Sequence, residues 1–527
     1  EDFTINSLTV GKGANSVAGN TVLGETALDA AVSGTNNTAI GNSCLTANTS
    51  GHTNTAVGSG ALDTNTTGIR NTAIGAEALD SNTTGSQNVA VGHQSLASNT
   101  EGDQNVAMGR NSLGANTTGI YNVGIGQSAA SSTTTGSNNV AVGRLALTGN
   151  TTASNNTAVG YHSLLSNTTG AQNVAVGTNA LDANTTADNN TAVGYASLTT
   201  NTTGAANTAV GKAAMANNST GSDNTAHGEG ALASNTTASN NVAVGKDALT
   251  ANTTGTQNNG FGVNALVANT TGDYNVAVGT NALSSNTTAD ENVAVGRNAL
   301  LVNTTGHSNV AVGALALDAC TTAPSNVAIG LHALTLLTAS DGQNVAIGKD
   351  AGDTITTGQR NVCVGTNANP SSATASRQYV FGHDINGKGD QTFFAGGSSG
   401  AFNEENVTVW RTTSDQRIKK NIVNYDTGLS IINQIQVRNF EYKTEDEIKT
   451  DNAELTDVVK SAVVNKTGTQ LGLIAQEVEA ILGSTVSTTS AGVKTLQTEG
   501  LFWHMLNAIK ELSAKNTALE TRVAALE

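Results

Sequence analysis

Residues 71–87 read NTAIGAEALDSNTTGSQ, and residues 88–104 repeat the same plan as NVAVGHQSLASNTEGDQ. The pentapeptide motif that opens each unit begins at Asn37, Asn54 and Asn71, and it returns every 17 residues as far as Asn361, with one extra residue before Asn344. These are twenty copies, and weaker ones extend the series to residues 20 and 379. A fixed period of this kind indicates a repeat protein.

Each repeat is predicted to form one coil of a β-solenoid. Seventeen residues are too few for a pair of helices, and a β-branched alternation followed by Asn, Thr and Gly is typical of a short strand and a corner. Stacked coils pair strand on strand, so their backbone hydrogen bonds run to the coils above and below. At about 4.8 Å per coil, the repeats predict a rod of about 100 Å.

The third position of the pentapeptide motif admits only small residues. It is Ala in seventeen copies, Gly at Gly124 and Gly260, and Cys at Cys363. Side chains alternate along a strand, so the third and fourth positions face opposite ways. We expect the larger fourth residue to fill the core of its own coil. The Ala face should be covered by a neighbouring chain in a parallel trimer.

The NTTG turn places Asn48, Asn65, Asn82 and Asn99 at equivalent positions. Stacked amides at such positions can form a hydrogen-bonded ladder between coils. The same Asn-x-Thr triplets also fit glycosylation sites. We favour the ladder, because a corner needs these residue types for conformational reasons. The turn glycine is replaced by Ala in other repeats, for example at residues 153, 187 and 289, so we do not expect a strictly left-handed backbone there.

His227 interrupts the apolar fourth position, either as a satisfied histidine or as a residue that meets its symmetry mates around an ion. A lone histidine is a weak metal signal. The three cysteines, Cys44, Cys320 and Cys363, contain no close pair and predict neither a disulfide framework nor a zinc site. We expect no metal and no cofactor.

The composition argues against several partners. Charged residues make up 12% of the chain and aromatic residues 3%, and no apolar run reaches the length of a membrane helix. Before residue 412 the chain has 12 Lys plus Arg against 25 Asp plus Glu. Such a surface repels a phosphate backbone, so nucleic acid is not expected as a partner. Membrane insertion is not expected either.

The pentapeptide motifs and the Ala-lined face of residues 20–382 resemble the head repeats of trimeric autotransporter adhesins, which phage fibres also use. That resemblance implies a mainly β fold, a trimeric β-roll, although the 17-residue period is longer than the usual repeat. Residues 1–19 are then an N-terminal cap or attachment segment. Residues 383–413 form a neck in which TFFA and VTVW predict short strands.

The C-terminal residues have a different pattern. LGLIAQEVEAILG has helical apolar spacing. Residues 501–527 carry a heptad seam from Phe502 through Met505, Ile509 and Leu512 to Leu526. Such a seam is typical of a coiled-coil helix. The residues at its a and d positions, with Asn516, favour a two-stranded coiled coil, and this preference conflicts with a three-chain roll. We expect the longer roll to decide for three chains.

Residues 414–422 read SDQRIKKNI. By themselves they predict a helix cap and solvated charges. Together with GLIAQEVE at 472–479 and the terminal LNAIKEL, however, they resemble the endosialidase-type intramolecular chaperone domain of phage tail fibres and tailspikes. The resemblance implies a small α+β chaperone and autoprocessing domain at 414–500. In such domains a serine–lysine dyad cuts the chain, here with Ser414 as nucleophile, Lys419 as base and the bond between Thr413 and Ser414 as the target.

The resulting prediction is a virion tail fibre or spike for host attachment, displayed on the particle surface. Its partners would be two further copies of itself, other virion tail proteins, and a host receptor that is a glycan or a surface protein. A bacterial trimeric adhesin is the nearest alternative. An ice-binding solenoid is a further one, although these Thr pairs lie in a turn rather than alternating along a strand.

Overall fold

The computed structural model describes residues 3–5, 8–30, 32–339, 341–396, 401–404, 420–425, 427–444, 447, 467–488 and 494–527. The chain divides into two compact units, Glu1–Thr413 and Ser414–Glu527. Among the described residues, no helix is both long enough and apolar enough to cross a bilayer.

The first unit is a β-solenoid with one strand per repeat, as predicted. It begins with β1 (Phe3–Ile5), β2 (Leu8–Gly11), a short 3-10 turn (Ala14–Ser16) and β3 (Thr21–Gly24). The strands that follow share the pentapeptide motif and are β4 to β23: Thr38–Ile40, Thr55–Val57, Thr72–Ile74, Val89–Val91, Val106–Met108, Val123–Ile125, Val140–Val142, Thr157–Val159, Val174–Val176, Thr191–Val193, Thr208–Val210, Thr225–His227, Val242–Val244, Asn259–Phe261, Val276–Val278, Val293–Val295, Val310–Val312, Val327–Ile329, Val345–Ile347 and Val362–Val364. The unit ends with β24 (Ala368–Asn369), β25 (Tyr379–Phe381), β26 (Ile385–Asn386), β27 (Thr392–Ala395) and β28 (Ala401–Glu404).

The strands β3 to β23 pair in parallel, each with the equivalent strand of the next coil. Thr191 lies opposite Thr208, one repeat later. Val327 lies opposite Val345, so the coil between them takes up the extra residue without a change of register. The TFFA strand β27 also pairs in parallel, with β25, and carries the sheet past residue 382. VTVW, at 407–410, lies outside the described residues.

The structure reverses the expected orientation of the strand. The third-position alanines, such as Ala192, are fully buried within their own coil, whereas the fourth position is on the outside, with Met108 43% exposed. The reason is a row of fully buried side chains at the ninth position of the repeat, most of which are leucines such as Leu113 and Leu198. A Cβ added at Gly124 would lie 3.0 Å from Cγ of Leu113. The residues that restrict the third position therefore belong to the same chain.

The corners depend on left-handed backbone. Leu198 has a φ of 51° and Ala196 one of 52°. Gly194, the last residue of its pentapeptide motif, has a φ of 137°, and a Cβ there would collide with the carbonyl of Gly211 in the next coil. Only glycine fits both requirements. The turn glycine at Gly204 is outside this region, as its replacement by alanine in other repeats predicted.

Two buried asparagine ladders run along the solenoid. In the predicted one, the side-chain amide of Asn99 donates to Asn82 Oδ1 at 2.8 Å. In the second, which the sequence analysis missed, the backbone N–H of Asn88 donates to Asn71 Oδ1 at 3.0 Å. Because the turn asparagines are buried and bonded, the folded coil does not present them for glycosylation.

The second unit is a small α+β domain. Its described elements are α1 (Leu429–Ile432), β29 (Arg438–Phe440), β30 (Gln470–Gly472), α2 (Ala475–Leu482), a 3-10 turn (Gly483–Thr485), β31 (Val486–Thr488), β32 (Lys494–Leu496) and α3 (Thr498–Ala524). β29 pairs antiparallel with β30, and β31 with β32. The helix predicted from Leu471 begins only at Ala475, because the residues before it form β30 and the connection to α2.

The long helix α3 has two different faces. Leu501, His504 and Ala508 are buried within the domain. The predicted heptad seam lies elsewhere on the helix, and its apolar residues from Phe502 to Leu526 are exposed.

Candidate functional site

The predicted cleavage residues Thr413, Ser414 and Lys419 lie outside the described residues, as does Arg417. Lys420 is the first described residue after them, and residues 420–425 are exposed. The described part of this region begins with the segment that follows the predicted dyad, at Lys420.

That segment is fastened to α3. The side-chain amide of Asn507 donates to the carbonyl oxygen of Tyr425 at 2.5 Å. Nδ1 of His504 lies 3.1 Å from the carbonyl oxygen of Thr427, and since a carbonyl only accepts, this bond needs a proton on Nδ1. Two turns of helix later, Glu511 Oε1 accepts from the backbone N–H of Leu429 at 3.3 Å.

Gly428 allows the close approach between the segment and the helix. A Cβ at this position would collide with the backbone nitrogen of Ala508 and with Asn507. The ring of Tyr425 adds an edge-on contact to His504, with ring centroids 5.3 Å apart. Tyr425, residues 427–429 and the face of α3 that carries His504, Asn507 and Glu511 thus form one platform, which we call the α3 platform.

The GLIAQEVE motif holds the domain together. Val478 is buried with Leu482 and Leu501 in the core of the domain. Glu477 binds Arg438 through two bonds, Nε to Oε2 at 3.1 Å and Nη2 to Oε1 at 3.0 Å, which connect α2 to β29. The hydrogen bonds and charge of Glu477 raise the pKa of Arg438. Glu479 forms an ion pair with Lys494 on β32.

His504, Asn507 and Glu511 were not predicted from the sequence as a functional group. Their spacings of three and four place them on one helical face, which is a detectable signal. Their partners lie about eighty residues earlier in the chain and could not be read from spacing.

Groups suited to metal binding or thiol chemistry are not assembled in the described part of the chain. It contains no cluster of three His, Cys, Asp or Glu side chains. His227 is an exposed member of the outward strand face. The three thiols are separate and buried, and burial raises the pKa of Cys320 to about 11 and that of Cys363 to about 12.

Comparison with known families finds a similarity in the C-terminal unit. Residues 414–487 match the family described as chaperone of endosialidase. The chain therefore combines a β-solenoid with a C-terminal segment that is similar to chaperone-of-endosialidase domains. Among curated proteins, none matches the chain.

Proposed function

We propose that the chain is a trimeric virion tail fibre or spike whose C-terminal domain guides assembly and then cuts itself off. One observation carries this proposal: the chaperone match begins at Ser414, the residue at which the chain divides into its two units. A cut before Ser414 would release the whole second unit and leave the solenoid unit complete.

The outward strand face supports association into a trimer. Its second and fourth positions are Val, Ile or Thr in most coils, and fourth-position residues such as Ile74 and Ile347 remain exposed in the single chain. A continuous apolar face of this length is the kind of surface that other chains cover. The exposed heptad seam of α3 would associate in the same trimer.

A repetitive rod needs help with register. Neighbouring coils are nearly identical, so chains displaced by one repeat would make almost the same contacts. A C-terminal clamp that brings three chains together at one end would set the register before the solenoids pair.

The proposed cut uses the Ser414 hydroxyl and the Lys419 amine. A lysine can act as a base only where burial or a neighbouring cation lowers its pKa. In the proposed step the neutral amine of Lys419 accepts the hydroxyl proton, and Oγ attacks the carbonyl carbon of Thr413. The bond to the Ser414 nitrogen breaks, and that nitrogen takes the proton from the lysine. Water then hydrolyses the ester, leaving a carboxylate at Thr413 and a free Ser414.

The fibre would attach to other virion tail proteins and carry a surface for a host receptor. The ice-binding alternative gains no support from the first threonine of each turn pair, because its hydroxyl is bonded within the rod. Thr83, for example, donates its hydroxyl to the carbonyl of Thr100 at 3.0 Å.

Mass spectrometry and light scattering of the purified chain test the proposal. We expect a trimer and a fragment that begins at Ser414. Val193→Asp with Val210→Asp would place charges on the outward face and should prevent trimer formation. A wild-type chain that is monomeric and remains whole would contradict the proposal.

A further inference from the structure

One row of exposed side chains runs along the solenoid beside the apolar face. In each repeat the sixth residue directly follows the glycine of the pentapeptide motif. Over the nine coils from Arg110 to Lys246, every sixth-position residue is exposed. We call these residues the basic–aromatic row. Its basic and aromatic members are Arg110, Arg144, Tyr161, Tyr195, Lys212 and Lys246.

Neighbouring members of the row touch each other. The guanidinium of Arg144 lies 5.6 Å from the ring centroid of Tyr161, one coil later. Lys212 lies 3.2 Å from Glu229 in the next coil. Two pairs of neighbouring members of the row are thus in contact. At strand spacing the row extends for about 38 Å, with the backbones of Tyr161 and Tyr195 about 10 Å apart.

The charge of the row is opposite to that of the unit that carries it. The row has four basic residues and one acidic residue, Glu229, with Asp247 beside Lys246. Between Arg144 and Lys212 the row has no acidic member, and it presents two tyrosines, which are 40% and 57% exposed. Aromatic rings flanked by cations suit a ligand that has both apolar faces and negative charge.

We propose that the basic–aromatic row binds an acidic polysaccharide that lies along the rod axis. Arg144 and Lys212 pair with its carboxylate or sulfate groups. Tyr195 packs against the apolar face of a sugar ring, and Tyr161, whose ring stacks on His162 with centroids 3.8 Å apart, adds a contact through its exposed edge. The inference rests on the proposed function, because it specifies the host receptor as an anionic glycan. Duplex DNA fits poorly, since it carries one charge per about 1.7 Å and would present far more phosphates than the row has cations.

Direct binding to defined polyanions tests the inference. The full chain is titrated with polygalacturonate, alginate and dextran sulfate at low salt, and with methyl-esterified polygalacturonate as a neutral counterpart. We expect binding that weakens with salt and is lost with the ester. Tyr161→Ala with Tyr195→Ala should bind at least about tenfold more weakly, as for loss of aromatic anchors. Arg144→Gln with Lys212→Gln should also weaken binding.

The matched control is Tyr121→Ala with Tyr274→Ala, which removes tyrosines that are 48% and 55% exposed outside the row. This control should bind as the wild type does. The inference is overturned by no binding to any of the three polyanions, by an equal loss in the control, or by equally tight binding of oligothymidylate. Loss of the trimer in the Tyr161 and Tyr195 variant would also overturn it, by assigning the row to a contact between chains. A trimer that cuts itself but binds no polyanion would leave the proposed function standing.

Discussion

Asn82 donates its side-chain amide to Oδ1 of Asn65 at 2.8 Å, and the same Asn82 amide also donates to the carbonyl of Gly85 at 2.9 Å. Each turn asparagine in this part of the rod thus closes its own corner and bonds to the preceding coil. Because both residues are fully buried, water cannot replace a lost partner.

Asn82→Ala should therefore destabilise the solenoid by about 1–3 kcal/mol, because it leaves buried polar groups of two coils without a partner. Thermal or denaturant unfolding followed by circular dichroism measures the loss. Thr84→Ala, an exposed change in the same turn, is the control and should have little effect. Equal stability of the two variants would contradict the role of the ladder.

The adjacent residues Ala192 and Val193 test which strand face is the core. Ala192→Leu overpacks the interior of the coil and should cost about 1–3 kcal/mol. Val193→Leu adds a methylene on the outward face, outside the core of the coil, and it should cost less than Ala192→Leu. Comparison of the two unfolding midpoints decides the matter. A larger loss for Val193→Leu would mean that the Ala face is not the core.

The cleavage prediction separates base catalysis from charge. Wild type should yield a C-terminal fragment of 114 residues that begins at Ser414, a length counted from the sequence. Ser414→Ala and Lys419→Arg should both remain whole, because arginine keeps the charge but cannot serve as a base. Lys420→Arg is the control and should still be cut. Cutting of Lys419→Arg at the wild-type rate would exclude the dyad.

The α3 platform is tested by two glycines of the same domain. Gly428→Ala places a Cβ against the backbone of α3, so it should detach Tyr425 and residues 427–429 from the helix and greatly reduce cleavage. Gly483→Ala is the matched control, because its Cβ would meet no atom within 4 Å. Gel analysis of cleavage after expression gives the readout, and circular dichroism checks that both domains fold. Normal cleavage in Gly428→Ala would show that the platform is not needed.

The buried cysteines should resist thiol reagents in the folded protein. Burial raises the pKa of Cys320 to about 11 and of Cys363 to about 12, so both remain protonated thiols at pH 8, and the thiolate is the reactive form. We expect no labelling by iodoacetamide at pH 8 and full labelling in denaturant. Labelling should appear in the native protein only as the pH rises toward those pKa values. Rapid labelling of the native chain at pH 8 would be inconsistent with the buried positions.

The sequence by itself determined the repeat architecture. The 17-residue period, the short strand and the Asn ladder follow from local residue preferences. Each recurs in many repeats, so it can be predicted without knowledge of the fold. The two-part organisation was also readable, because SDQRIKKNI and GLIAQEVE interrupt the repeat composition with motifs of their own.

Only the tertiary structure decided which strand face is inside and what the α3 platform holds. Alternation along a strand places Ala192 and Val193 on opposite faces but does not say which face the coil encloses. Which face is enclosed depends on the direction in which the corner after the strand bends, because that bend places Leu198 inside the coil, against the Ala face. Likewise, Asn507 meets Tyr425 across 82 residues of chain. Such contacts are set by how distant segments pack, and local sequence preferences do not specify that packing.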